Sequence, residues 1–427
     1  LIAAGQAEVD RFALTVRAVR IIFPGTALLV LSSWALGVLN SHRRFLLPYL
    51  SPLVWNASLI TLLLWTSGFE SLRDGGVSLS LLERGLFAVC FGALIGAFLQ
   101  FSVQMPLVLR SMRGFRLSLS TRVDGVRDAL RAFGPALAGR GVVQLSLYID
   151  MFLASWLAKG APSALGYAVT LINLPVGVFG MSVAAAELPE LASADPDKLE
   201  RRMSERISRA LRQSAFVVAP SVVGFLAFGF LVAGLVFRGG SFTLEDNQLV
   251  YLVLCAYTVG LPASTVSRLF QNAFFALRDP QTPARIASVR LVASALLGAA
   301  LMLLLDRYPV RAVFGSAASA HELFLGAVGL GLAASVGAWC ELMLMLRALR
   351  KQVPGLRLPV HDILRSYAWA VALAAPVGGL WWLLGSWSGM WQALLVLPCY
   401  VVVYLGIAWW RGAPEIELWL GRGRRRA

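Results

Sequence analysis

Charge is scarce in this chain. Asp, Glu, Lys and Arg make up 14% of its 427 residues, where a soluble protein carries about 25%. The shortage excludes an ordinary water-soluble domain. Histidine is rarer still: His42, His321 and His361 are scattered between apolar runs and imply no metal site. The four cysteines, Cys90, Cys255, Cys340 and Cys399, all sit inside apolar segments without a CxxC pair. They read as small buried hydrophobes, not as a disulfide framework. No nucleophile–base set, metal spacing or phosphate loop stands where chemistry needs it, which argues against an enzyme. The GLGLAA at 329–334 matches a nucleotide-binding loop only as a pattern, because no strand precedes it. The chain opens at Leu1 and no signal peptide precedes the first apolar run, so the N-terminus is expected to be clipped.

What is present is apolar surface. The chain is 58% hydrophobic, with a mean hydropathy of +0.71. Eleven runs reach the roughly 20 residues that cross a bilayer as a helix. They lie at about 13–39, 46–67, 85–109, 132–158, 163–189, 213–237, 248–276, 284–305, 323–346, 364–385 and 388–410. The connections between them alternate in charge. One set, which includes 110–131, 198–212, 278–290, 347–365 and the tail, holds 27 Lys and Arg, and the opposite set holds 7. The positive-inside rule places the first set, and the C-terminus, in the cytoplasm. The net charge of +15 then reflects topology and anionic lipid, with no nucleic acid as partner. The expected fold is an all-α polytopic membrane protein.

The pair of runs at 132–191 is unusual in carrying polar groups: Arg140 and Asp150 in the first, Asn173 beside Pro175 in the second. Charges at bilayer depth usually face a wet interior or a partner. A bundle around a polar path follows. Pro24, Pro175, Pro220, Pro262, Pro376 and Pro398 lie inside runs and predict kinks, common both in plain bundles and in transporters. Gly92 and Gly96 form a GxxxG, a close-packing surface. A faint repeat links the segments beginning near Pro24 and Pro262, each with a basic cluster about 16 residues on. Their even spacing in span count suits parallel repeats, with chance as the alternative. The stretch 191–213 reads as an amphipathic connector, its basic face on anionic headgroups or simply solvated.

Three stretches carry a resemblance: QLSLYIDMFLASWLAKGAPSALGYAVTLINLPVGVFGMSVAAAELPELA at 144–192, FFALRDPQTPARIA at 274–287, and RIIFPGTALLVLSSWALGVLNSHRRFLLP at 20–48. Together they resemble the MurJ/MviN family of lipid II flippases. The resemblance implies fourteen spans: two six-span lobes and a C-terminal pair that grooves a polyprenyl tail. This chain would hold the last eleven: 1–112 as the remainder of the first lobe, 128–348 as the second, 364–411 as the pair, and 412–427 as a basic tail. It further implies a multi-pass protein of the bacterial inner membrane. Its substrate would be a polyprenyl-diphosphate-linked glycan amid membrane lipid, with cell-wall synthesis or division proteins as possible partners. The activity would be transport without a cofactor, driven by a coupling cation (sodium or proton) or the membrane potential.

The same resemblance implies a cationic cavity for a diphosphate headgroup. Arginine suits it because its planar fork binds phosphate oxygens in pairs. The candidates are Arg17, Arg20, Arg140, Gln144 and Arg268, with snorkelling to the interface as the arginines' alternative role. Asp150 matches a sodium-site position of some members, with Ser294 and Gly298 where further ligands belong; pairing with a cavity arginine is the alternative. One departure stands out. After Tyr167-Ala168 the family usually has an acidic residue and an arginine, and this chain has Val169 and Thr170. The alternatives to lipid II are another polyprenyl-diphosphate saccharide, an amphiphile, or a scaffold without transport.

Overall fold

The computed structural model describes residues 11–42, 44–71, 79–112, 126, 145–157, 160–187, 196–240, 242–277, 279, 281–315, 322–356, 358–385 and 387–411. Among these the secondary structure is helical, apart from one isolated antiparallel bridge between Pro309 and Phe324. The reason is the solvent. In hydrocarbon a chain must satisfy its own N–H and C=O groups, and a helix does so locally.

The helices are α1 (Arg11–Ser41), α2 (Leu46–Ser71) and α3 (Leu79–Ser111), then the short α4 (Leu145–Ala154). They continue with α5 (Ala161–Glu187), α6 (Pro196–Phe237), α7 (Leu244–Thr258), α8 (Leu261–Ala276) and α9 (Gln281–Leu305). Last come α10 (Arg311–Phe314), α11 (Gly326–Gln352), α12 (Val360–Leu383) and α13 (Gly389–Trp410). Among the described residues eight helices are long and apolar enough to span a membrane, or nine with α7 and α8 joined as one. The protein is a multi-pass membrane protein of all-α architecture. Of the run at 132–158, only α4 and the turn after it fall within the described residues.

The chain divides into two compact units, Leu1–Ser120 and Thr121–Ala427. In the first, α3 packs on both α1 and α2. The GxxxG does what its spacing promised. A Cβ at Gly96 would stand 2.9 Å from the Trp55 carbonyl oxygen and one at Gly92 3.0 Å from Leu59 Cα, so α2 lies directly on the glycines. That approach lets Ser58 Oγ donate to the Gly92 carbonyl (3.1 Å) and Trp55 Nε1 to that of Ala93 (3.1 Å). Gln104 donates to both Ser32 and Ser51 at 2.7 Å, joining all three helices.

In the second unit α11 is the central helix, packed on α7, α8 and α9. Its GLGLAA run is a packing surface. A Cβ at Gly329 would fall 2.7 Å from the Leu301 backbone on α9, and one at Gly331 2.9 Å from Ala256 Cβ on α7. The C-terminal pair α12 and α13 packs on α6. There Tyr404 donates to the Phe216 carbonyl at 2.7 Å, and Tyr400 packs against Phe228 with ring centroids 5.4 Å apart.

Three expectations change. The run 248–276 is not one helix: α7 and α8 meet at 43° across residues 259–260. Pro262 sits in the first turn of α8, where its missing N–H costs nothing but cannot continue α7. Pro24, by contrast, lies well inside the unbroken α1, so the two prolines of the proposed repeat occupy different helical positions. Finally, from Pro196 the connector is the first half of α6, continuous with the span that follows. Met203, Ile207 and Leu211 bury against Phe270, Phe274, Met345 and Leu349. The apolar face is taken by protein, leaving Arg209 and Arg212 exposed.

Candidate functional site

The break between α7 and α8 is held from α11. A Cβ at Gly260 would meet Ser335 Cα at 2.7 Å, so only glycine allows the approach. In return Ser335 Oγ donates to the Ala256 carbonyl (2.5 Å) and Trp339 Nε1 to that of Val259 (3.0 Å). Backbone acceptors at the break are thus satisfied by the neighbouring helix, the condition for breaking a helix at membrane depth.

Beside this break opens a cavity of about 460 Å³, lined from α4, α5, α7, α8, α9 and α11. Its polar residues include Asp150, Asn173, Arg268, Gln271, Arg290 and Glu341. Glu341 is 0% exposed. Its Oε2 pairs with Arg290 Nη1 at 2.5 Å, and its Oε1 accepts from Gln271 Nε2 at 3.2 Å. A carboxylate in that position survives only if paired and hydrogen-bonded. Asp150, 4% exposed, accepts from the Tyr257 hydroxyl at 3.3 Å.

The sequence candidates separate. Arg268 and Asp150 both reach this cavity. Arg140 and Gln144 lie outside the described residues. Arg17 and Arg20 are exposed along α1 in the first unit, whereas this cavity is built from the second.

Of the residues expected to join Asp150 in a sodium site, Ser294 and Gly298 lie on α9. Gly298 has only its main-chain carbonyl to offer and faces Leu330, Ala333 and Leu153. Ser294 contributes one hydroxyl, buried against Gly337 and without a partner among the described residues. Among the described residues no three His, Cys, Asp or Glu side chains gather as a metal group.

Two residues escaped the sequence reading. Arg290 had been counted with the basic connection 278–290, yet it sits on α9 and faces the cavity. Glu341 is the lone charge in the run 323–346. A solitary acid in an apolar span demands a basic partner, and that demand was the available signal. The pair also bears on the departure at 169–170. Val169 lines the cavity, and Thr170 returns its hydroxyl to the Gly166 carbonyl of its own helix at 2.8 Å. Neither supplies charge. The described cations of the cavity come from α8 and α9 instead.

A family model described as lipid II flippase MurJ matches residues 1–402. The lipid II flippase MurJ of Burkholderia cenocepacia is 27% identical over 416 residues, covering 94% of this chain and 74% of that protein. The probable lipid II flippase MurJ of Rhizobium meliloti is 30% identical over 297 residues, 68% of this chain and 52% of its own. A solved structure of a lipid II flippase MurJ in an inward closed conformation matches with a TM-score of 0.66 at 20% identity, covering 96% of this chain and 75% of that one. That likeness is one of fold.

Proposed function

Since the chain belongs to the lipid II flippase MurJ family, we propose that it flips a lipid-linked peptidoglycan precursor across the inner membrane by alternating access. The observation that carries the reading is the cavity holding Arg268 and Arg290 among spanning helices. A diphosphate headgroup crosses hydrocarbon only if its charge is met on the way. Guanidinium groups meet it with forked, charge-assisted hydrogen bonds that strengthen in low dielectric. No bond is made or broken; the work is binding and release on opposite sides. The lipid tail stays in oil, where the exposed apolar side chains of the spans, such as Trp65 and Trp382, also belong. The charge bias of the connections supports a cytoplasmic C-terminus.

The test is rescue. The natural full-length gene should restore growth to cells depleted of their own lipid II flippase. Good membrane expression without rescue overturns the reading. A C-terminal fluorescent-protein fusion should glow and a C-terminal alkaline phosphatase fusion should stay inactive; the reverse overturns the orientation.

Val169 and Thr170 favour one second reading: export of a different polyprenyl-diphosphate saccharide. It would appear as failed rescue alongside binding of the diphosphate lipid.

A further inference from the structure

The ion pair at the cavity wall has a composition that packing does not explain. Arg290 gives one described hydrogen bond, to Glu341; its Nε is buried without a partner among the described residues. Arg268, three residues before Gln271 on α8 and so on the same face, has no described partner among those residues and lines the same cavity. Two guanidinium groups therefore border one space with most of their donors unspent among the described residues, Arg268 exposed and Arg290 half-buried. Glu341 lies beneath them with no exposure, and it has a second donor, Gln271 Nε2. The carboxylate would keep that hydrogen bond if Arg290 turned away.

We propose that Glu341 is the cavity's internal counterion: it holds Arg290 in the empty protein and yields it to the substrate's diphosphate, which Arg268 and Arg290 then bind together. This rests on the function proposed above and adds the residues that bind and release. A diphosphate outcompetes a carboxylate because it carries more charge and offers oxygens to both forks at once. Release follows from the same pair. In the loaded cavity Glu341 has lost its cation and keeps only a neutral amide. A buried carboxylate so placed favours the return of Arg290. Without Glu341 to compete, the two arginines would hold a diphosphate too well. In this chain, then, the site's charge has moved from α5, where Val169 and Thr170 offer none, to α8 and α9.

The experiment uses the full chain in lipid nanodiscs. It titrates inorganic pyrophosphate and, separately, a short-chain polyprenyl diphosphate. Transport of the lipid is followed in vesicles. Arg290→Gln should weaken binding of the diphosphate lipid by about tenfold or more. Glu341→Gln, which keeps the shape and removes the like charge, should tighten it by about tenfold and slow transport. A merely structural role for Glu341 would weaken both. The double variant Arg290→Gln/Glu341→Gln is charge-balanced and keeps the result readable if Arg290→Gln alone unfolds; it should bind more weakly than wild type but less weakly than that single variant, which keeps the repelling carboxylate. Unchanged or weakened binding in Glu341→Gln, or wild-type affinity in Arg290→Gln or the double variant, overturns the inference while leaving flipping intact. Absence of diphosphate-lipid binding in the wild type overturns flipping itself. Binding of free pyrophosphate alone overturns the lipid assignment.

Discussion

Tyr257, in the last turn of α7, donates its hydroxyl to the Asp150 carboxylate of α4 at 3.3 Å. Asp150 is 4% exposed, and a buried carboxylate stripped of a donor retains its full desolvation penalty. Tyr257→Phe should therefore cost about 1–3 kcal/mol. Adding Asp150→Asn should return most of it, since the group left alone is then neutral. Thermal unfolding of the four proteins in detergent gives the coupling; additive effects would show that the two groups do not interact.

Helix spacing around α11 sets a second expectation. Gly329→Ala puts a methyl group 2.7 Å from the Leu301 backbone, which cannot rotate aside. Separation of α9 and α11 should cost about 1–3 kcal/mol. Gly379→Ala on α12 meets nothing within 4 Å and should leave the melting temperature unchanged. Equal melting of the two variants would refute this spacing.

At the loop between α8 and α9, Asp279 accepts from Thr282 Oγ1 (2.6 Å), the Thr282 amide (3.1 Å) and Gln352 Nε2 (2.8 Å). Chiefly through the Thr282 hydroxyl, these bonds hold its carboxyl below the usual carboxylate value. A depressed folded value means stabilisation that is complete above the unfolded value, about 3.9, and lost as pH falls through the folded one. The melting-temperature advantage of the wild type over Asp279→Asn should be flat near neutrality and shrink below about pH 4. A gap that widens on acidification would reverse the sign.

The first half of α6 docks through Phe274, which is 0% exposed. Phe274→Ala should cost about 3–5 kcal/mol, and limited trypsin digestion should then cut faster at Arg209 than at Arg212, which pairs with Asp362 at 3.5 Å. An unchanged cleavage rate would mean that this half of α6 holds its place without the docking.

Much of this was legible from hydropathy because the bilayer imposes one rule on every span. The helices α1, α5, α9 and α13 begin and end within three residues of their apolar runs. The GxxxG at Gly92 and Gly96 was legible too, since its period alone puts both glycines on one face. The bend at 259–260 was only half so. Pro262 announces a disturbance, but whether a helix kinks or breaks depends on who satisfies the freed acceptors, and Ser335 and Trp339 lie some 80 residues away.

The amino-acid order by itself determined that this protein spans a membrane many times as a helical bundle, and where most spans lie. Desolvation of the backbone acts residue by residue and needs no partner. Tertiary structure alone decided which charges work together. Arg290 lies 51 residues from Glu341 and Gln271 70, and Asp150 lies 107 from Tyr257. In an apolar interior a charge is tolerable only beside its partner, and distance in the chain does not say which helix face will bring that partner near.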